Sequence, residues 1–323
     1  MKKGIRYLLC LVLLAALSLT ACGKQFQEEV VLKVDGREVL KSEYMVYLYT
    51  TTQSFVSAAG ADVWSMDFDG QTADELVEER AIETLQNVIA AEDYAAANDI
   101  ALSDEQKAEA KQAAEQFVAS VSAEDLAKMG VDAESVLPLM EASYLYTLVY
   151  DTISAECEVD ADEEKAFRAE NEAALKQDYS EVRLQTILLD DADKAEQAAE
   201  RAKAGEDFQT LFAEYDVVPK TEDSTTREDM TMYQSYLKLS FGLTDNLTAG
   251  EVVGPLQAGE SGYFILKAVD VTEPTDAELD EIAATAYRTQ VQSEYANARI
   301  EEMVQAQTVE KVEGAWEGME KFH

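Results

Sequence analysis

The chain has 323 residues, of which 65 are acidic and 26 basic, giving a net charge of −39. That sign repels phosphate backbones, so nucleic acid is excluded as a partner, and an anionic lipid surface offers no electrostatic hold. A single histidine, the terminal His323, excludes Cys-His and Ser-His catalysis and histidine-rich metal centres; no cofactor and no metal are expected.

In chain order, the first segment reads as a secretory address. Lys2, Lys3 and Arg6 precede an apolar run over 7–19, which is short against the roughly 20 residues that a spanning helix needs. The run ends in Leu19-Thr20-Ala21-Cys22, which resembles a bacterial lipobox. The resemblance implies a lipid on Cys22, cleavage of residues 1–21 as a signal peptide, and a chain held by its lipid at the extracytoplasmic face of the cell membrane. The alternative is an ordinary cleaved signal with a chance cysteine. Cys157 is then the one thiol of the folded body, a packing residue with no histidine near it to activate it. About 300 residues remain, enough for two domains or one multi-lobed body.

A polar tether over 22–29 leads to Val30-Val31-Leu32-Lys33-Val34, a strand that turns at Asp35-Gly36. Ser42 is the expected N-cap of a helix carrying Tyr44, Met45, Tyr47 and Leu48. Asp67-Phe68-Asp69-Gly70 half-resembles a calcium loop, but Ser65 and Leu76 occupy two ligand positions, so a plain loop is expected. Helical patterns follow over 73–98, from the capping box Ser103-Asp104-Glu105-Gln106 to about 120, over 122–129, over 133–154 and from about 160. Residues 182–189 then alternate as a core strand. Helices over 191–203 and 208–215, an irregular stretch over 217–231, a helix over 233–241 and strands near 250–256 and 262–269 complete an α+β unit. Thr275-Asp276-Ala277-Glu278 opens a last helix running to about 305.

The order Ile187-Leu188, Ala204-Gly205-Glu206-Asp207-Phe208, Gly250-Glu251-Val252-Val253-Gly254-Pro255-Leu256 and Ser261-Gly262-Tyr263-Phe264-Ile265-Leu266-Lys267 resembles a parvulin-type (PpiC-like) peptidyl-prolyl isomerase domain. Upstream, Lys33-Val34-Asp35-Gly36-Arg37-Glu38-Val39 and Asn98-Asp99-Ile100-Ala101-Leu102-Ser103 look like the helical region of PrsA/SurA-type extracytoplasmic foldases. The resemblance implies an α+β chain: a mostly helical chaperone-like domain over 30–178, an inserted parvulin-like domain over 179–272 with a small antiparallel sheet and helices on it, and a C-terminal helix over 273–323 packing on the helical domain. The family's two active-site histidines fall on Thr186 and Phe264, and its acidic or thiol residue falls near Asp216. The Gly-Gly-Asp-Leu-Gly loop of the family is replaced by a polar stretch over 223–229. What the resemblance leaves of the site is an apolar shelf, with Met232 and Phe241 as candidates, alongside Ser261.

The resemblance implies a membrane-anchored foldase whose partners are unfolded or newly secreted polypeptides, with isomerase activity weak or lost; the oligomeric state, monomer or homodimer, stays open. Prolyl isomerisation needs a pocket favouring the twisted amide over both planar forms, against a barrier of about 18–20 kcal/mol, and no nucleophile. An active isomerase is therefore the alternative, and a solute-binding lipoprotein of a transporter a further one. Tyr44, Met45, Tyr47, Tyr144 and Tyr146 are candidates to line a client cradle, or else plain core.

Overall fold

Val30–Val34 (β1) and Arg37–Leu40 (β2) pair antiparallel around Asp35 and Gly36, both at positive φ (49° and 83°), as a two-residue hairpin requires. This hairpin opens the computed structural model, which describes residues 29–217, 230–257 and 262–323. Cys22, Ser261 and the polar stretch over 223–229 lie outside the described residues. The chain divides into two compact units, one running up to Ser154 and including Ala296–His323, the other Ala155–Tyr295. The architecture is the expected α+β one, mostly helical with an inserted small antiparallel sheet that carries helices.

In the helical unit, Lys41–Ala59 (α1) follows β2 without a break. Ser42 is its second residue rather than its cap: Leu40 holds the N-cap position, and the Lys41 amide donates to the Glu29 carbonyl at 2.8 Å. A backbone acceptor satisfies that orphan donor where a hydroxyl was expected. Asp67–Phe68 (β3) and Gln71–Thr72 (β4) form a two-stranded hairpin where a plain loop was expected, with Asp69 and Gly70 at positive φ in its turn. Ala73–Ala97 (α2) starts on a full capping box, Thr72 with Glu75, and Asp104–Ser120 (α3) on the Ser103–Gln106 box read in the sequence. Ala123–Met129 (α4) and Ala133–Ala155 (α5) complete the run. Tyr44, Met45, Leu85, Ile89 and Met129 are among its fully buried side chains.

The C-terminal residues close this unit. Val309–Lys311 (β9) pairs with β1, giving the sheet order β2-β1-β9. The Asp35 carboxylate accepts from both the amide (2.7 Å) and the hydroxyl of Thr308. Beyond β9, the Trp316 indole N–H donates to the Val31 carbonyl at 2.8 Å, and its ring lies 4.8 Å from that of Tyr44. Phe322 is buried edge-on to Tyr49.

The second unit begins with Ala161–Tyr179 (α6), capped by the Asp160 carboxylate. Glu181–Leu189 (β5), Ala192–Lys203 (α7), Phe208–Tyr215 (α8), Met230–Tyr233 (β6), Gln234–Phe241 (α9), Val252–Gln257 (β7) and Tyr263–Thr272 (β8) follow. The sheet order is β6-β5-β8-β7, antiparallel throughout. Helices α7 and α8 cover one face; Ala195, Ala198, Ala199 and Ala202 form a small-residue stripe that lets α7 lie close on Ile187, Leu189 and Ile265. Asp276–Gln305 (α10) starts on the predicted Thr275–Glu278 box and packs Leu279 and Ala283 on Leu175 of α6. Among the described residues no helix is long and apolar enough to cross a membrane.

Candidate functional site

The alternation of β5 decides what each sheet face can do. Val182, Leu184 and Thr186 point to one face, Ile187 and Leu189 to the α7–α8 core on the other. On β8 the same rule sends Phe264, Leu266 and Ala268 to the first face. Thr186 pairs with Leu266 and Leu188 with Phe264, so Thr186 and Phe264 are diagonal neighbours on one surface. Thr186 is 1% exposed, and Phe264 is half-buried.

Helix α9 lies on this face and brings Phe241 edge-on to Phe264, with ring centroids 5.7 Å apart and planes at 82°. Met232, opposite Val182 across the β5–β6 pair, joins the same cluster. The structure therefore places Thr186, Phe264, Met232 and Phe241 on one face, with Phe264 and Phe241 in contact and Met232 at the other end of β5, six residues along from the level of Phe264. The backbone under Phe264 is held from β7: Gly254 sits at φ +132°, and a Cβ there would meet the Phe264 carbonyl oxygen at 2.8 Å. Lys203 donates to the Gly254 carbonyl at 2.7 Å.

Sequence reasoning missed the residue that fixes α9. Gln234 is 2% exposed; its amide nitrogen donates to the Leu247 carbonyl at 2.7 Å and its amide oxygen accepts from the Leu247 N–H at 2.9 Å. Its only signal was a polar residue at the junction of a strand and a helix. Replacing it by leucine, Gln234→Leu, strands both buried backbone groups, and a loss of about 2–4 kcal/mol is expected in urea denaturation of the chain.

Chemically the face is apolar. Its clustered residues carry no imidazole, and His323 belongs to the other unit, where it stacks on Trp64 and bonds Asp74. Asp216, 7% exposed, accepts from the Leu188 amide at 3.1 Å, while the Val217 amide donates to the Leu188 carbonyl at 3.0 Å. The segment after α8 is thereby clamped to β5. Among the described residues no cluster of His, Cys, Asp and Glu is placed to hold a metal ion.

The tyrosines of the helical unit divide by depth. Tyr44 and Tyr47 sit in the core, Tyr44 wholly enclosed, and burial pushes both phenols well above their ordinary range. Tyr144 and Tyr146 on α5 are half-buried. Cys157 is half-buried with its thiol 3.7 Å from the Val291 carbonyl.

Comparison with known protein families matches residues 159–284 to the PPIC-type PPIASE domain. The foldase protein PrsA of Caldanaerobacter subterraneus subsp. tengcongensis is 23% identical over 328 aligned positions, covering 96% of this chain and 97% of its own. The foldase protein PrsA of Clostridium tetani is 24% identical over 47% of this chain and 44% of its own. Among solved structures, foldase protein PrsA from Streptococcus pneumoniae aligns with a TM-score of 0.43 at 18% identity, over 86% of this chain and 93% of its own. Taken with the sheet and its helices, residues 159–284 match the PPIC-type PPIase domain, in a chain similar along nearly all of its length to a PrsA foldase.

Proposed function

We propose that the chain is a membrane-anchored extracytoplasmic foldase that holds unfolded or newly secreted polypeptides, with its lipid on Cys22 and with an isomerase domain whose activity is weak or lost. The similarity to PrsA foldases supports the general role. The physical need is that X-Pro bonds interconvert over tens of seconds while exposed apolar segments aggregate.

The observation that carries the reading of the isomerase domain is the Phe264–Phe241 contact. At the position of one family histidine stands a ring packed edge-on against the residue read as the prolyl shelf, and the other histidine position is a buried threonine. No hydrogen-bonded imidazole pair can form there, and among the described residues the cluster on this face is apolar apart from Thr186, which argues against a preorganised polar floor for the twisted amide. In a protease-coupled assay on a proline peptide, the chain is expected to run at least about a hundredfold below a histidine-bearing PPIC-type domain, the scale of a lost preorganised hydrogen bond. In parallel it should suppress aggregation of a reduced, denatured client. Robust isomerisation would favour the second reading, an active isomerase working through the retained Met232 and Phe241 shelf. Failure to protect any client would remove the foldase role.

A further inference from the structure

At the end of the sheet remote from Phe264, within the second unit, Tyr233, Glu181 and Thr272 stand side by side on β6, β5 and β8. Together with the C-terminus of α6 and the first turns of α10 they enclose a groove of about 620 Å³, a size that suits a short chain segment or a small ligand. The groove has two layers. Its floor is half-buried and apolar: Tyr179, Tyr233, Pro274 and Ile282, with the Tyr179 and Tyr233 rings edge-on at 5.6 Å. Its rim is exposed and acidic: Glu181, Glu273 and Glu281.

These three rim carboxylates make no ion pair among the described residues, whereas Glu278 is spent on the Thr275 cap. Most of the cations nearby are committed elsewhere, although Lys176 also feels Glu273 and Arg183 follows Glu181 two residues along β5. Arg168 is bonded to Glu172 and Asp280, Lys176 to Glu172, Lys238 to Asp178 and Arg288 to Glu164. The negative field of the three rim carboxylates is therefore only partly offset by the protein, and the aromatic floor adds faces that attract cations. Thr285, exposed on α10, lines the same wall.

We infer that this groove is a binding site for an extended cationic peptide segment in which lysine or arginine alternates with aliphatic side chains, the aliphatic groups seated on Tyr179, Tyr233 and Ile282 and the cations on the three glutamates. The site is distinct from the Thr186–Phe264 face and stands whether or not the chain acts as a foldase. An extended segment sends alternate side chains to opposite sides, which matches an apolar floor beneath a charged rim. A purely acidic or purely apolar peptide satisfies one layer and leaves the other unmatched.

The test uses the full chain and a fluorescent peptide alternating lysine and leucine, with binding read by anisotropy. A triple variant, Glu181→Gln, Glu273→Gln and Glu281→Gln, is expected to weaken binding about tenfold or more, and Thr285→Arg to abolish it by placing a competing cation in the wall. A control of equal charge change on α3, Glu105→Gln, Glu109→Gln and Glu115→Gln, should leave binding within about twofold, because those exposed carboxylates act only through the screened general field. A peptide alternating lysine and serine should bind markedly less well than the leucine peptide. The inference is overturned by absence of binding, by equal losses in the two triple variants, by indifference to Thr285→Arg, or by equal affinity for the serine peptide. Melting curves of each variant confirm that the fold is intact, and the client-protection assay reports separately on the foldase role.

Discussion

Removal of residues 306–323 should unfold the helical unit. That segment supplies β9, the Thr308 clamp on Asp35, the Trp316 bond to the Val31 carbonyl and the Phe322 ring against Tyr49. Without it β1 becomes an open sheet edge, and Tyr44, which is wholly enclosed, loses the ring packed on it. Truncating one buried large aromatic costs about 3–5 kcal/mol, and the segment contributes two aromatic rings as well as a strand. Set against a domain stability of about 5–15 kcal/mol, the loss is enough to abolish cooperative melting of that unit at room temperature. The single change Trp316→Ala should cost about 3–5 kcal/mol in chemical denaturation. Amide exchange by segment is the decisive measurement: residues 30–150 should lose protection while 181–189 and 263–272 keep it. Retained protection over 30–150 would show that the tail is an accessory.

The second large effect is expected at Gly262. It sits at φ +118° directly before β8, and a Cβ built on it would lie 2.1 Å from the Leu189 carbonyl oxygen and 3.1 Å from its carbon. Both neighbours are backbone atoms of the central strand, so no side chain can swing aside. Gly262→Ala must either part β5 from β8 or shift the start of β8, and it adds the strain of a side chain at a φ that favours glycine. A loss of about 3–5 kcal/mol is expected, read as a lowered urea midpoint of the sheet unit. Gly205, also at positive φ but with nothing near its missing Cβ, is the control and should cost less under the same substitution. Equal losses at the two positions would mean that φ alone matters and the close approach does not.

Much of this architecture was legible in the sequence because short-range chemistry dominates it. The Ser103–Gln106 and Thr275–Glu278 boxes mark helix starts by satisfying orphan amides locally, and both form as read. The alternation over 182–189 marks a core strand, and β5 forms there, paired on both sides. What escaped notice depends on distant partners. Strand β6 is four residues long with a half-exposed pattern, so its pairing with β5 leaves no periodic trace. Strand β9 is exposed along its length and is a strand only because β1 lies beside it. Ser42 was a sound cap by residue type, yet the chain enters α1 straight from β2 and the Glu29 carbonyl takes the Lys41 amide first.

The site divides in the same way. Thr186, Phe264, Met232 and Phe241 were reached through the resemblance to the parvulin-type domain; that they share a face follows from strand alternation, from α9 and, for Met232, from the β5–β6 pairing. The Gln234 clamp on Leu247 and the close approaches at Gly254 and Gly262 were not legible in the sequence, because each joins residues ten or more positions apart along the chain that look unremarkable in their own neighbourhoods. The resemblance places the inserted domain over 179–272. Packing divides the chain near 155 and 295, since α6 and the first part of α10 bury Leu175, Leu279 and Ala283 against one another.

The pairing of β1 with β9 joins residues separated by nearly the whole chain. A polypeptide that emerges from its amino end first presents every residue of Ala155–Tyr295 before it presents Val309. The inserted module can thus reach its final form while the earlier helices still wait for a missing neighbour, and the unit begun first is completed last. A message cut short between positions 296 and 309 would release a finished module attached to an unclosed body.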